Sequence, residues 1–318
     1  MRPISPLKMG LARGAGTLSR GSGRGGGTSL PGKLLLRMQD DAIGRMASTL
    51  TAGSVVISAT NGKTTTASLL AGILRRADIP AVHNSAGANM PGGIATALLA
   101  ASGRDDLAGA VGVFEVDEAW TAQLVAELAP TVVVLGNLFR DQLDRYGELE
   151  TLAESWAEMI AALPASTVVV INADDPLLAH LAEGRDRVTY FGIDDRHYAD
   201  LSTQHAADSK FCRRCSSPLI YTAVQLGHLG TYHCGNCDLT RPTPDVAATA
   251  IEMRGMDGSL VVIRTPEGDV NVELPIPGLY NVYNAVAAAA AACALELNNA
   301  VISGGLAAAR AVFGRVET

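Results

Sequence analysis

The sequence predicts an α/β protein built on a doubly wound, mainly parallel β-sheet. A strand, a tight loop and a helix follow one another over residues 55–74, and three more apolar runs, at 110–114, 131–135 and 167–171, alternate with helical patterns. Runs that are apolar on both faces are typical of parallel strands covered by helices on each side. Ligands of such sheets bind beyond the carboxyl ends of the strands, so the residues that follow each run are the candidates for function.

Composition and charge limit the possible classes of protein. With 318 residues, of which 48% are hydrophobic and 18% charged, the chain is typical of a globular protein with a large core. Two lobes and one elaborated domain both fit this length. The formal charge of −7 argues against a general nucleic-acid-binding protein, which normally carries a basic balance.

Residues 1–50 form a basic, glycine-rich segment that differs from the rest of the chain. The first forty residues hold seven lysines and arginines against one acid, Asp40. They lack the apolar stretch and the cleavage site of a signal peptide, and the longest apolar stretch of the chain, at 285–295, is too short to span a bilayer. We therefore expect a cytoplasmic protein. Its basic start is either a solvated tail or a contact with polyanionic groups, such as substrate phosphates or head groups at the inner face of the membrane.

The first strand is followed at 58–66 by a loop with the features of a phosphate site. A loop that turns into a helix directs unpaired backbone N–H groups and the positive end of the helix dipole at an anion. Lys63 adds a cation for the β- and γ-phosphates, and the Thr64 hydroxyl is suited to ligate Mg²⁺. The general phosphate-loop pattern requires glycine where this chain has Ile57, so an ordinary Asn-Gly turn before a threonine-rich helix is the alternative. The candidate ATP ligands of the loop are Thr60, Asn61, Gly62, Lys63, Thr64 and Thr65.

Polar residues follow each of the three later strands. Glu115 ends the first of them, Asn137 and Asp141 follow the second, and the segment 172–176, N-A-D-D-P, follows the third. Caps of the next helices explain any one of these clusters. A bound Mg·nucleotide needs hard oxygen ligands on the side of the sheet where the phosphate loop lies, which explains all three together. Glu115 is therefore the candidate partner of Thr64 in a magnesium site.

A four-cysteine pattern interrupts the α/β pattern at residues 201–244. Cys212 and Cys215 are followed after eighteen residues by Cys234 and Cys237, and C-x₂-C-x₁₈-C-x₂-C falls within the spacing of tetrathiolate zinc ribbons. Disulfides are the alternative, although a reducing cytosol keeps thiols free for metal. Four protein ligands leave no position open for substrate, so we expect a structural zinc ion.

The last third of the chain predicts three short strands and an alanine-rich helix. The strands lie at 248–253, 260–264 and 270–274 and form a small antiparallel β subdomain. Asn281 and Asn284 are three residues apart at the start of the following helix, so they share one face. Their carboxamides are suited to bind the edge of a purine, although helix capping would also explain them.

Taken together, these motifs resemble the central domain of the Mur ligase superfamily. The T-N-G-K-T-T phosphate loop of that family corresponds to 60–65, its N-A-D-D-P segment to 172–176 and its G-x-x-N-x-x-N-x-x-A adenine motif to 278–287, and Glu115 matches its acidic magnesium site. The resemblance covers nearly all of residues 30–318. It implies the fold described above, with ATP and Mg²⁺ as cofactors.

One branch of this family resembles the chain in further features, namely a four-cysteine insertion, a basic glycine-rich start and the segments 83–89, 114–118 and 137–147. That branch is the ligase subunit of lipid II isoglutaminyl synthase, which works with a class I glutamine amidotransferase called GatD. The resemblance implies that ATP phosphorylates the α-carboxyl of D-glutamate in the lipid II stem peptide, and that ammonia from the partner then attacks the acyl phosphate. It implies catalytic roles for Lys63 and Glu115. The candidate substrate-binding residues are Asn84, Asn89, Asn137 and Asp141.

Three departures from the family pattern bear on this interpretation. Gln142 stands where many members carry a histidine, and Tyr280 stands where the adenine motif commonly has one. The amino-acid-adding members use a carbamylated lysine for a second metal, yet the four lysines of this chain leave no obvious candidate. This favours a specialised amidating branch.

Two alternatives stay open. One is a Mur-type ligase that joins an amino acid to a UDP-muramyl peptide or a folate. The other is a zinc-ribbon protein that binds nucleic acid and uses nucleotide as a switch. The aromatic content of 4% and the few basic residues around the cysteines argue against the second alternative.

The end of the chain resembles the start of a further domain. The segment 313–317, F-G-R-V-E, is similar to the F-G-R-x-E segment where Mur ligases pass from the central to the C-terminal domain, and this places Arg315 among the expected ATP ligands. In that family the C-terminal domain closes over the nucleotide, and closure excludes water. We therefore expect residues 1–318 alone to bind Mg·ATP and zinc without amidating the stem peptide at an appreciable rate. The expected units are a basic segment at 1–50, a central ATP-binding domain at 51–200 and 245–309, a zinc-ribbon insertion at 201–244 and the start of a C-terminal ligase domain at 310–318.

Overall fold

The computed structural model describes residues 4–21, 29–84, 87–103, 109–140, 148–200 and 209–309. The strands in these ranges are β1 (Ser54–Ser58), β2 (Ala81–His83), β3 (Val111–Glu115), β4 (Val132–Leu135), β5 (Val168–Asn172), β6 (Val188–Ile193), β7 (Leu219–Leu226), β8 (Leu229–Cys234), β9 (Val246–Met253), β10 (Ser259–Thr265) and β11 (Gly268–Leu274). The α-helices are α1 (Pro6–Gly21), α2 (Leu30–Met38), α3 (Ala42–Ala47), α4 (Lys63–Arg76), α5 (Pro91–Ala101), α6 (Thr121–Leu128), α7 (Glu148–Ala162), α8 (Leu279–Ala294) and α9 (Asn299–Ala307).

Nine of these strands form one sheet, in the order β11–β10–β9–β6–β5–β4–β1–β3–β2. Six adjacent strands of this sheet pair in the parallel direction, namely β6, β5, β4, β1, β3 and β2. Strand β1 lies between β3 and β4. The chain therefore extends the sheet on both sides of β1, as in a doubly wound fold. The predicted fold class is confirmed, and the carboxyl ends of β1, β3 and β4 meet at one edge of the sheet.

The three strands predicted near the end of the chain extend the same sheet. β9 pairs with β6 in the parallel direction, and β10 and β11 follow as antiparallel strands. The last two of the three predicted strands thus form an antiparallel hairpin, β10–β11. A separate antiparallel hairpin, β7–β8, lies in the four-cysteine region.

Helices cover both faces of the sheet. Helices α4, α8 and α9 pack on one face, and α3, α5, α6 and α7 pack on the other. The alanines of α8 at 285 and 287–292 are buried with Val286, and their small side chains let the helix lie close to the strands. Cys293, for which the alanine-rich run predicts core packing, packs at the edge of the same cluster.

The described part of the basic N-terminal segment is helical and packed, so a solvated tail is wrong for these residues. Helix α1 contacts α2 and α5, and Ala12 is fully buried. Lys8 Nζ donates to the Met38 carbonyl at 2.8 Å, and Arg13 donates to the Leu99 carbonyl at 3.0 Å. In the described ranges we find no helix that is both long and apolar enough to cross a bilayer.

Candidate active site

The predicted phosphate loop connects β1 to α4 at the carboxyl edge of the sheet. Gly62 precedes the first residue of α4 and has a φ of 90°, a left-handed conformation that favours glycine. A Cβ atom at this position would also collide with the Asn284 side chain, which lies against the loop. No side chain in the described ranges caps the first turn of α4, and this turn contains no acidic residue. Its backbone N–H groups are therefore available to an anion.

Lys63 lies at the start of α4 with its ammonium group held against the loop. Its Nζ atom donates to the Ala59 carbonyl at 2.5 Å and to Glu118 Oε2 at 2.8 Å. The two charged side chains are only 13% and 19% exposed. A phosphate group that enters the loop would compete with Glu118 for this cation. Sequence reasoning did not single out Glu118, although its position three residues after Glu115 was a usable signal.

Asn137 fixes the shape of the loop from the end of the neighbouring strand β4. Its carboxamide accepts a hydrogen bond from Asn61 N at 2.9 Å and donates one to Asn61 O at 3.0 Å. Its backbone carbonyl accepts from Thr60 N at 2.8 Å, and the Thr60 hydroxyl accepts from Phe139 N at 3.0 Å. Asn137 therefore positions the loop, and its contact with substrate stays a prediction.

Glu115 ends β3 directly beside the base of the loop, where it is paired with Ile57 of β1. Its side chain is 1% exposed, and neither carboxylate oxygen has a hydrogen-bond partner among the described residues. A buried carboxylate without a partner is costly unless it meets a cation. The chemistry of this position therefore fits a Mg²⁺ ligand.

Asn84 holds Glu115 in place from the end of β2. Its Nδ2 atom donates to Glu115 O at 2.8 Å, and its Oδ1 atom accepts from Glu115 N at 2.9 Å. The Asn84 side chain is buried and also donates to the Ala88 carbonyl at 2.9 Å. Its carboxamide thus aligns the backbone of Glu115, a positioning role that the sequence did not reveal.

The other predicted site residues fall into three groups. Thr64 and Thr65 are half-buried in the first turn of α4. Asn89 is half-buried, and its carbonyl accepts from Asp117 N at 2.9 Å, two residues beyond Glu115. Asp141 and Arg315 lie outside the described residues.

The predicted adenine motif lies across from the loop at the start of α8. Asn284 Nδ2 donates to Asn281 Oδ1 at 3.1 Å, so the two carboxamides share one face as predicted. Asn284 Oδ1 accepts from the Thr66 hydroxyl at 3.3 Å, and Asn281 Nδ2 donates to the Pro277 carbonyl at 2.7 Å. Both asparagines are buried at the side of the loop. The bond between Asn284 and Thr66 links α8 to α4, so the predicted adenine motif is held against the phosphate loop.

A cleft of about 410 Å³ opens between the loop and α8. Its volume and its mixture of apolar walls with a few polar groups are typical of small-molecule sites. A larger groove, of about 730 Å³, lies over β9, β10 and β11, and none of the predicted site residues that the structure describes lines it. The described lining of the cleft consists of Asn61, Gly62, Thr65, Asn137, Phe139, Leu226, Leu229, Tyr280, Tyr283 and Asn284.

The four cysteines form a compact cluster at the far end of the β7–β8 hairpin. All four sulfur atoms lie within 4.8 Å of one another, and none of the cysteines forms a disulfide. The Cys212–Cys237 and Cys215–Cys234 sulfurs are 3.6 and 3.4 Å apart. Zinc–thiolate bonds of about 2.3 Å in a tetrahedron require sulfurs about 3.8 Å apart, so the cluster fits a zinc ion.

Hydrogen bonds from Ser217 lower the pKa of the Cys215 thiol to about 6. At Cys237 a hydrogen bond from the Leu239 backbone lowers the thiol pKa, but desolvation and the neighbouring cysteine sulfurs outweigh it and raise the pKa to about 12. Without a metal, the thiolate is therefore favoured at Cys215 and not at Cys237.

A buried ion pair joins the four-cysteine region to the segment after β5 and, through Tyr283, to helix α8. Arg241 Nε donates to Asp174 Oδ1 at 2.6 Å, and Asp174 Oδ2 accepts from the Tyr283 hydroxyl at 2.7 Å. Burial raises the pKa of Tyr283 well above its ordinary value, so its hydroxyl stays protonated and donates. Asp174 belongs to the N-A-D-D-P segment, and its carboxylate is engaged in this structural network. The following residue, Asp175, accepts from the backbone N–H groups of Leu138 and Leu177, both at 2.9 Å.

Comparison with known proteins gives consistent results. Residues 57–240 match the family described as Mur ligase middle domain. The chain is 34% identical, over 92% of its length, to 64% of the lipid II isoglutaminyl synthase (glutamine-hydrolyzing) subunit MurT of Streptococcus pneumoniae strain R6. It is 30% identical, over 96% of its length, to 67% of the subunit of the same name from Staphylococcus aureus strain N315. The chain thus spans about two thirds of the length of these relatives.

A solved structure of similar fold is the pseudomurein peptide ligase type C from Methanothermus fervidus. It superposes with a TM-score of 0.68 at 28% identity, over 84% of this chain and 51% of that protein. The fold and the sequence motifs therefore indicate the same relationship.

Proposed function

We propose, from the premise that this chain belongs to the Mur ligase family and to the group within it named MurT, that it acts as the ATP-dependent ligase subunit of a lipid II isoglutaminyl synthase. One observation carries the nucleotide part of the proposal. Lys63 and the buried carboxylate of Glu115, which has no hydrogen-bond partner among the described residues, flank a loop whose following helix has an uncapped first turn in the same part of the chain. This is the arrangement that a magnesium–triphosphate group requires.

The proposed reaction needs alignment and charge neutralisation from the protein. The γ-phosphoryl group of ATP moves to a carboxylate oxygen of the D-glutamate residue in the stem peptide, and ADP leaves. Backbone N–H groups of the loop and the Lys63 ammonium would offset the negative charge that develops during this transfer. Thr64 and Glu115 would hold Mg²⁺, which supplies further charge neutralisation when bound. Ammonia then attacks the acyl carbon, and inorganic phosphate leaves.

The ammonia must come from a partner, because none of the five cysteines suits a glutaminase nucleophile. Cys212, Cys215, Cys234 and Cys237 form the proposed zinc site. Cys293 lies in α8, and burial raises the pKa of its thiol to about 11, which disfavours the reactive thiolate. We therefore propose a class I glutamine amidotransferase of the GatD type as the partner and the lipid II stem peptide as the acceptor.

The activity is tested by incubating the full-length product of the gene with lipid II, Mg·ATP, glutamine and the amidotransferase. We expect amidated stem peptide only when the partner or free ammonia is supplied, with ADP and phosphate released in equal amounts. Incorporation of an amino acid in place of ammonia would instead support an amino-acid-adding Mur ligase and would overturn the proposal.

Lys63→Ala tests the nucleotide site on the 318-residue chain. Loss of an ammonium group that bonds to phosphate costs about 3 kcal/mol, or roughly 10²-fold in the Kd for Mg·ATP measured by titration calorimetry. Arg75→Ala is the matched control, since it removes an exposed cation from the last turn of the same helix. Equal affinity in wild type and Lys63→Ala would mean that the loop is only a turn.

A further inference from the structure

The cleft beside the phosphate loop has one wall from a part of the chain that no nucleotide motif includes. Leu226 ends β7 and Leu229 begins β8, and both side chains line the cleft. These residues form the tip of the hairpin whose other end carries the four cysteines. We call residues 226–229 the hairpin tip.

The hairpin tip is held over the cleft by packing against Phe139. Gly227 has a φ of 62°, and a Cβ atom there would lie 2.6 Å from Phe139 Cε1, so the backbone passes directly over the ring. The His228 ring packs against the same phenyl ring, with 4.6 Å between the ring centroids. Phe139 itself lies two residues beyond Asn137, which fixes the phosphate loop. The hairpin tip and the phosphate loop therefore both contact the short segment 137–139, which fixes their positions relative to each other.

Polar contacts anchor the tip to the segment after β5. His228 is fully buried, and its Nε2 atom lies 3.3 Å from Asp175 Oδ1. Gly230 N donates to the Asp174 carbonyl at 2.9 Å. The position of the tip is thus set by the nine-stranded sheet as well as by the hairpin.

The chemistry of the cleft changes across its width. Asn61, Gly62 and Thr65 present backbone and hydroxyl groups on the loop side. Leu226 and Leu229 contribute apolar side chains from the hairpin, and the Phe139 ring adds to this apolar surface. A triphosphate suits the first side, and a flat, largely apolar purine suits the second.

We infer that the hairpin tip is the wall against which the nucleotide base packs, so that the four-cysteine module, residues 209–241, contributes directly to nucleotide affinity. Leu226 is the main base-packing residue of this wall, because it is half-buried and lines the cleft, whereas Leu229 is almost completely buried in the core. This inference rests on the proposed function, since it assumes that a nucleotide occupies the cleft.

The test compares two ligands that share the phosphates but not the base. Mg·ATP and Mg·tripolyphosphate are titrated into wild type, Leu226→Ala and Lys63→Ala. We expect Leu226→Ala to weaken Mg·ATP about tenfold, as for the loss of aliphatic contact in an apolar pocket, and to leave tripolyphosphate unchanged. Lys63→Ala should weaken both ligands. Leu226→Met, which conserves the volume of the side chain, should restore most of the ATP affinity.

Ile220→Ala is the matched control. It truncates an aliphatic side chain of the same strand, but Ile220 is 48% exposed and lies toward the cysteine end of the hairpin. Unchanged ATP affinity in Leu226→Ala, with tripolyphosphate still bound, would overturn the inference and leave the phosphate site intact. Equal losses in Ile220→Ala and Leu226→Ala would also overturn it, because they would indicate a general effect on the hairpin. Failure of wild type to bind either ligand would instead overturn the proposed function.

Discussion

The phosphate loop and the four-cysteine module hold their site residues by different means. The loop lies between β1 and α4, whose apolar residues belong to the large core on one face of the sheet. The side chains of Asn137 and Asn284, which are distant in sequence, accept hydrogen bonds from Asn61 N and the Thr66 hydroxyl and fix the loop further. The core of the module is much smaller, and two of its seven buried members are Cys212 and Cys234. A segment of this size rarely folds on apolar burial alone, so we expect it to depend on a bound metal ion.

This difference indicates which site is formed before its ligand binds. The sheet holds the loop and Glu115 in place through backbone pairing, whether or not nucleotide is present. The cysteines come together from two separate turns, and bonds to one ion would hold these two turns together. We therefore expect the loop to be preorganised and the module to be coupled to metal binding.

Removal of the metal should have the largest effect and separates the two regions most clearly. Structural zinc contributes about 10–16 kcal/mol in zinc-finger peptides at pH 7, so Cys234→Ser or chelation should unfold residues 209–241 locally. Hydrogen exchange should then show lost protection in β7 and β8 and retained protection in β1 and β3. Mg·tripolyphosphate binding should persist.

Two measurements check this expectation. Metal analysis of the purified wild type should find about one zinc ion per chain, whereas paired disulfides and no zinc would overturn the metal assignment. Cys293→Ser is the matched control, because Cys293 lies in α8 outside the cluster. It should leave the metal content and the exchange pattern of the hairpin unchanged.

Arg241→Met should have the next largest effect and tests how firmly the two regions are joined. The substitution leaves the fully buried Asp174 carboxylate without its cation, and breaking a buried pair costs about 3–5 kcal/mol. Urea denaturation measures the loss of stability. Arg254→Met removes a cation that is 40% exposed and pairs with Glu252 and Glu273, so its cost should stay below about 1 kcal/mol. Similar losses of stability in Arg241→Met and Arg254→Met would show that the Arg241–Asp174 pair does not join the four-cysteine module to the sheet.

Asn284→Ala should have the smallest effect on stability. It tests whether the Asn284 side chain recognises the base in addition to holding the loop. The variant removes the side chain that contacts Thr66 and Asn281, at a cost of about 1–2 kcal/mol. We expect the ratio of Kd values for Mg·ATP and Mg·GTP to move toward one, because a carboxamide that can bind the purine edge is lost. Asn271→Ala, on the exposed face of β11, is the control. An unchanged ratio in Asn284→Ala would exclude this side chain from base recognition.

Much of this protein is determined by short stretches of its sequence. The strand–loop–helix pattern at 55–74 predicts the phosphate loop, and the alternating runs predict the parallel sheet. The spacing of the four cysteines likewise predicts their cluster. These features follow from neighbouring residues, because hydrophobic periodicity, turn conformation and ligand spacing are local properties of the chain.

Other features were decided only by the tertiary structure. The ion pair of Lys63 with Glu118, the alignment of Glu115 by Asn84 and the position of Leu226 at the cleft all join residues far apart in sequence. No periodicity or spacing encodes such contacts, since they arise from the order of strands in the sheet and from the hydrogen bonds that buried polar groups must find. For the same reason the sequence could name the asparagines of the site but could not show which of them shape the backbone. Their roles depend on which strand ends the folded sheet brings side by side.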